Sequence, residues 1–224
     1  MIKDGLEVVK RRNLNYIIEE GRVKKEKPWL GDLFSFAYDF LMDRFVIPRQ
    51  LGGDPDRHLQ IMKRELAGLR GKDVLELAAG TGSAAGFLDS SNSYVGTDIS
   101  PGLLRKGVRR FASAGFEGAE FYVCGSDELP FEDNLFDMVL CVLALNFFPN
   151  LELVLSEVKR VLKEDGRIVC CVPVSDRLKS GKRIEGNLYS EASLERIFTA
   201  SGLDFQAFPA KNGSIFYFGA AVKD

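Results

Sequence analysis

From Lys72 onward the chain repeats one pattern: a short apolar run, a few small or polar residues, then a stretch with helical spacing. The runs "DVLELA", "SYVGTDI", "EFYVC", "FDMVLCVL" and "RIVCCVPV" are rich in branched side chains and scarcely alternate with polar ones, as strands covered on both faces require. Helices are predicted between them at about 83–89, 101–114, 150–163 and 190–201. Ser100 followed by Pro101 is a cap and first-turn pair, and Gly166 after "EVKRVLKED" reads as a helix stop. Such alternation builds a parallel sheet with helices on both faces. The tail breaks the pattern. "LDFQAFPA" and "IFYFGAAV" flank Lys211-Asn212-Gly213-Ser214, and an Asn-Gly turn joins neighbouring strands as a hairpin, so the last strand is expected to run against the others.

Before residue 70 the spacing is helical. Leu6, Val9, Leu14, Ile17 and Ile18 lie among charges as on an amphipathic helix that breaks near Asn13. "KPWLGD" reads as a turn, and "LFSFAYDFLMDRFVI" as an aromatic helix that stops before Pro48. Asp54 is placed to cap a helix running from Pro55 to about Leu69. Two regions are therefore expected: 1–70, a helical cap on the substrate side, and 71–224, the sheet-bearing core. The expected fold class is α/β: a doubly wound, seven-stranded Rossmann-like sheet with an antiparallel last strand, plus the N-terminal helical cap.

Composition narrows the function. At 224 residues, 46% hydrophobic and 28% charged, the chain has apolar mass for a sizeable core. A net charge of -2 gathers neither nucleic acid nor an anionic membrane, so no nucleic-acid partner is expected. The first residues are charged where a secretory signal is apolar, and the apolar run at 138–145 is too short for a membrane span, which predicts a cytoplasmic protein. Four cysteines without a CxxC spacing and a single histidine predict no metal site and buried thiols in a reducing compartment. Oligomeric state has no signature here.

The chemistry centres on "VLELAAGTGSAAGFL", residues 74–88. It puts Glu76 inside a buried strand and then strips the next turn of side chains. In a doubly wound sheet, ligands bind beyond the carboxyl ends of the strands, beside this first one. Gly80 and Gly82 permit close backbone approach, and a following helix offers free N–H groups. Gly-Thr-Gly alone is equally well explained as a bare turn. Three features favour a ligand. Glu76 repels a pyrophosphate but attracts an ammonium or a sulfonium-bearing molecule. Asp98, ending the strand in "VGTDIS", is placed to take both ribose hydroxyls. "GSDELPFEDNLFDMV" sets polar residues where a purine edge would bond while its faces stack on Ile99 and Leu129. An amino-acid zwitterion, ribose and adenine in that order make S-adenosyl-L-methionine.

At these residues the sequence resembles the class I S-adenosylmethionine-dependent methyltransferases, over about residues 70–224. "VLELAAGTG" is similar to the family's first motif, "VGTDIS" to its acidic second, "LPFEDNLFDMVLCVLAL" to its third and fourth, and "LSEVKRVLKEDGRIVCCVP" to the helix and strand after them. Within the class, the resemblance is to the ubiquinone/menaquinone C-methyltransferase group and its small-molecule relatives, including "YDFLMD" at 38–43. The resemblance implies that Glu76 holds the methionine ammonium and that Ala78, Gly80 and Gly82 contact the methionine part through backbone. It further implies Asp98 on the ribose, Ile99 and Leu129 on the adenine faces, Asp127 (with Ser126 beside it) on the adenine amino group, and Cys141 lining the methionine end. The chain departs from the pattern in four places. Ala78-Ala79-Gly80 replaces Gly-Cys-Gly, Gly125 stands where the family often has the adenine-binding Asp, Asn146-Phe147 replaces Arg-Asn after the fourth strand, and the segment after the fifth strand is short. These departures put a quinone substrate in doubt.

The implied reaction is in-line transfer of a methyl group to a small, apolar acceptor, leaving S-adenosyl-L-homocysteine. The sulfonium is already activated, so no dedicated base is required. Candidate substrate or catalytic contacts are Tyr38 (a hydroxyl donor or cation–π face), Asn146 (a hydrogen-bond partner) and His58 (a base). Each also has a structural reading: Tyr38 packs with Phe34, Phe36 and Phe40, and His58 lies exposed near a helix start. Two other functions compete, a non-catalytic S-adenosylmethionine-binding sensor and an NAD(P)-dependent oxidoreductase. Gly80, Gly82 and Gly86 imitate a dinucleotide fingerprint, but Glu76 and the antiparallel hairpin argue against the latter.

Overall fold

The computed structural model describes residues 2–24 and 38–223. Its strands are β1 (Glu7–Arg11), β2 (Leu14–Glu19), β3 (Arg22–Val23), β4 (Asp73–Leu77), β5 (Ser93–Asp98), β6 (Glu120–Val123), β7 (Phe136–Val142), β8 (Leu162–Pro173), β9 (Leu203–Ala207) and β10 (Ile215–Val222). They form one sheet in the order β1-β2-β6-β5-β4-β7-β8-β10-β9, with β3 beside β2. From β6 to β8 all pairs are parallel, while β10 runs antiparallel to both β8 and β9. The seven strands from β6 to β9 in this order are the expected doubly wound sheet with its reversed last strand.

Alternation along the buried strands feeds two cores. Leu75, Leu77, Val139, Cys141, Ile168 and Cys170 face one layer, under helices α4 (Leu151–Val161) and α5 (Glu191–Ala200). Val74, Met138, Leu140, Val169 and Cys171 face the other, under α2 (Pro55–Glu65) and α3 (Pro101–Ser113). Cys170 and Cys171 thus lie on opposite faces, and all four cysteines are free and buried. The caps are those the sequence suggests: Asp54 Oδ1 accepts from the Arg57 amide at 3.0 Å and Ser100 Oγ from the Leu103 amide at 3.1 Å. Helix α2 stops at Glu65, one turn short of the expected end.

The N-terminal expectation is overturned. Residues 6–18 form a hairpin, not an amphipathic helix. Arg12 and Asn13 both adopt positive φ (51° and 63°) and join β1 to β2 as a two-residue turn of the primed type, whose twist suits a hairpin. Glu20 and Gly21 repeat the device before β3. Strand β2 then pairs parallel with β6 through Asn15↔Tyr122 and Tyr16↔Val123, so this segment extends the sheet. Spacing of single apolar residues allowed either reading; the branched pairs Val8-Val9 and Ile17-Ile18 were the strand signal.

The aromatic helix is also altered. Its first part, with the "KPWLGD" turn, lies outside the described residues. The rest is a single α turn, α1 (Tyr38–Leu41), continuing as a π-helix over Met42–Gln50 that carries Pro48 inside it. The wider π register gives a prolyl ring room that an α-helix denies it. Gly166 is not a simple stop either: the helix ends at Val161, and the chain bulges between the pairs Phe136↔Leu162 and Met138↔Arg167. The Asn212-Gly213 turn does not close the final hairpin tightly. Ser214 instead docks on Leu51, its amide donating to the Leu51 carbonyl at 2.8 Å. Replacing Arg12-Asn13 by the preferred Asn-Gly pair is expected to raise unfolding free energy by about 1 kcal/mol. Denaturant unfolding of the double variant checks this.

Candidate functional site

Beyond β4 the chain turns through Ala78-Ala79-Gly80-Thr81-Gly82. Ala78, Gly80 and Gly82 all take positive φ, at 51°, 55° and 74°. For Ala78 this is strained, since a left-handed backbone costs a side chain roughly 1–2 kcal/mol. The two glycines do different work. A Cβ on Gly80 would meet no atom closer than 3.9 Å, so Gly80 leaves open space. A Cβ on Gly82 would lie 2.8 Å from Gly107 Cα and collide with helix α3. Gly82, matched by Gly107, therefore allows close packing of the turn against α3. The helix expected at 83–89 is only a 3-10 turn over Ser83–Gly86. It is too short to supply the dipole the sequence suggested.

Two carboxyls stand at this turn. Asp98 ends β5 and is 8% exposed; its Oδ2 accepts from the Gly80 amide at 2.9 Å and its Oδ1 from the Ser100 amide at 2.8 Å. It braces the open glycine against the neighbouring strand, and a carboxylate has about four acceptor positions to share. Glu76 is 1% exposed, in register with Gly96 and Leu140, and Tyr94 donates a very short hydrogen bond to its Oε2. Burial pushes the Glu76 carboxyl up to about 8, the Tyr94 hydrogen bond pulls the other way, and the charge of Asp98 adds to the rise. No ion pair among the described residues reaches Glu76. A buried acid of this kind can accept a cationic ligand at the turn beside it, where Gly80 leaves open space.

Around the turn, other side chains hold it. Asp39 of α1 accepts from Thr81 Oγ1 and, at 2.9 Å, from Arg110 Nη2 of α3, so the cap segment is tied to the glycine turn. The loop after β6 is clamped from below by α4: Glu157 Oε2 accepts from the Leu129 amide at 2.7 Å, and Arg160 donates to the carbonyls of Phe131 and Leu129 at 2.6 and 3.2 Å. Asp39, Gly107, Tyr94, Glu157 and Arg160 were missed in the sequence. Glu157 and Arg160, at i,i+3 in "SEVKR", were the most legible of them.

The remaining candidates divide. Ile99 follows Asp98 and is 37% exposed, as a ligand face requires; Asp127 is exposed and folds over Gly125, with Ser126 buried between them. Leu129 and Cys141, expected against the ligand, are both fully buried in the core under α4. Cys141 pairs with Leu77, on the face opposite Glu76. Leu129 is turned inward by the Glu157 and Arg160 clamp. Asn146 is buried; its Nδ2 donates to the Glu185 carbonyl at 2.7 Å, its own carbonyl accepts from Asn187, and its Oδ1 has no partner among the described residues. The Tyr38 side chain lies outside the described residues. His58 is buried rather than exposed. Its Nδ1 lies 3.0 Å from the Tyr217 hydroxyl, which Asn212 also reaches, and Asn212 further bonds both backbone groups of Asp54. This cluster pins α2 to β10, a structural role. Burial lowers the His58 pKa to about 4. No group of His, Cys, Asp and Glu suited to a metal occurs among the described residues.

Comparison with known proteins bears on this geometry directly. The family described as methyltransferase domain matches residues 75–170, the stretch from Glu76 through the turn, Asp98 and Cys141 to β8. Residues 75–170 are a methyltransferase domain. The chain is similar to a ubiquinone/menaquinone biosynthesis C-methyltransferase of Desulfotalea psychrophila (39% identical, over 63% of this chain and 51% of that one). A demethylmenaquinone methyltransferase of Clavibacter sepedonicus is 39% identical over 48% of this chain and 44% of its own. The chain thus spans about half the length of the curated relatives it matches. An S-adenosylmethionine-dependent methyltransferase of Thermotoga maritima shares the fold, with a TM-score of 0.63 at 17% identity over 87% of this chain and 99% of that one. No helix among the described residues is long and apolar enough to cross a membrane.

Two outcomes follow for the methyltransferase domain and the segment that precedes it. Ala78→Gly relieves the left-handed strain and is expected to raise unfolding free energy by about 0.5–1 kcal/mol, net of glycine's greater freedom when unfolded. For His58, the folded pKa is the lower one, so its contribution is whole above about 6.5 and is lost as pH falls toward about 4. The stability gap between the wild type and His58→Phe is therefore expected to shrink by about 2 kcal/mol between about pH 7 and pH 5. Denaturant titration of the pair at both pH values isolates this from Glu76, which titrates in the opposite sense.

Proposed function

We propose that the chain is an S-adenosyl-L-methionine-dependent methyltransferase acting on a small-molecule acceptor. In this reading residues 71–224 are the cofactor-binding core, β1–β3 extend its sheet, and the helical segment from Tyr38 to Glu65 covers the substrate side, through the tie of Asp39 to Thr81 and Arg110. The observation that carries the proposal is Glu76: a buried carboxyl with no basic partner among the described residues, beside a turn whose Gly80 leaves space. Glu76 takes the ammonium, Asp98 the ribose hydroxyls, and Ile99 one face of the adenine. A dinucleotide fits poorly, because its pyrophosphate would meet Glu76 and Asp98 together. The free, buried cysteines suit a cytoplasmic location, and the near-neutral charge suits a small acceptor rather than nucleic acid.

When bound, the cofactor supplies an activated methyl group on a sulfonium. The protein's part is to hold donor and acceptor in line and to exclude water, and alignment is worth roughly 7–11 kcal/mol. Asn146 supports an acceptor that carries a hydroxyl or N–H, because its buried Oδ1 is an acceptor without a partner among the described residues.

Calorimetric titration is expected to show binding of S-adenosyl-L-methionine and S-adenosyl-L-homocysteine but not of NAD. Asp98→Ala should weaken the former at least about a hundredfold, since charge-assisted hydrogen bonds to two hydroxyls are lost. Unchanged affinity in that variant contradicts the assignment. Formation of S-adenosyl-L-homocysteine over a panel of hydroxylated and amino acceptors separates an enzyme from a non-catalytic binder.

A further inference from the structure

Tyr94 has no place in the site as the sequence describes it, yet it is the one hydrogen-bond partner of the Glu76 carboxyl among the described residues. Its ring is 2% exposed and stacks on Phe111 with centroids 3.8 Å apart, between Phe116 and Phe121. Gly96, the residue in register with Glu76, makes room for the hydroxyl: a Cβ there would lie 2.9 Å from it. The local sequence thus delivers one phenol to one carboxyl in an otherwise apolar layer.

We propose that Tyr94 is a positioning residue of the cofactor site: its hydroxyl pins one oxygen of Glu76 so that the other meets the cofactor ammonium, and forming that ion pair expels one proton from Glu76 to solvent. The inference rests on the cofactor reading above. The other titratable groups that feel Glu76 are Asp98 on β5, Cys171 on β8 and, from the opposite face of the sheet, Cys141 on β7, none of them cationic. Without a ligand the buried carboxyl is the neutral acid near pH 7, in keeping with its raised pKa of about 8. Approach of an ammonium reverses the balance: the acid O–H bond breaks, the proton leaves to buffer, and the carboxylate so formed keeps the Tyr94 hydrogen bond. Because that bond favours the charged form, its loss makes the proton harder to remove.

The test is calorimetry of S-adenosyl-L-homocysteine, which carries the same ammonium, in two buffers of different protonation heat. The wild type is expected to release close to one proton at about pH 7 and to bind about tenfold more tightly per pH unit between about pH 6 and 7.5. Glu76→Gln should abolish both effects. Tyr94→Phe keeps the stacked ring; it should bind about tenfold more weakly at about pH 7, with the rise in affinity continuing to higher pH. A merely structural tyrosine would lower thermal stability without moving the pH profile. Release of no proton by the wild type, or an unmoved profile in Tyr94→Phe, overturns the inference. If Asp98→Ala still loses binding in that case, the cofactor reading stands and only this inference falls; unchanged affinity in both Asp98→Ala and Glu76→Gln removes the cofactor reading as well.

Discussion

A carboxyl group almost wholly removed from water costs several kcal/mol to ionise unless something positive comes to it. Glu76 is such a group, set in the central strand with a phenol on one side and a second acid above. An apolar residue would fill the same place in the layer at less cost. The structure keeps the acid and clears the turn beside it of side chains, so that a cation can descend to it. In the proposed reading a positive head lies near Glu76 and hydroxyls lie within reach of Asp98.

The crevice has to be kept open without side chains of its own, and it is held from outside. Gly82 and Gly107 let the turn and α3 touch backbone to backbone, which fixes the floor. Asp98 ties the Gly80 amide to the end of β5. Asp39 brings the cap segment onto Thr81, and the Glu157–Arg160 pair fixes the loop after β6 from the far face of the sheet. Strain at Ala78 is the residue of this arrangement, since the backbone keeps a glycine geometry where the chain has a methyl.

The core strands, the caps at Asp54 and Ser100, and the acid–glycine–acid sequence of the site were legible because each depends on a few neighbouring residues. Three things were not. The N-terminal hairpin was hidden by apolar spacing that fits both periods, and its turn used Arg12-Asn13 rather than a glycine pair. Cys141 and Leu129 were placed at the crevice because sequence order sets them near strand ends. The face a strand residue takes depends on register, however, and the pair Leu77↔Cys141 turns that thiol away from Glu76. His58 looked exposed because it stands in a charged first turn. Its burial comes from Tyr217 and Asn212, distant in sequence, and no local pattern announces them. Long-range partners, rather than local propensity, decided every revision.

The most direct measurement is a crystal structure of the chain with S-adenosyl-L-homocysteine. The account predicts the ligand's ammonium within about 3 Å of a Glu76 oxygen and both ribose hydroxyls on Asp98, as ordinary charge-assisted hydrogen bonds require. A crevice left empty at saturating ligand, or a ligand whose ammonium lies away from Glu76, would contradict it.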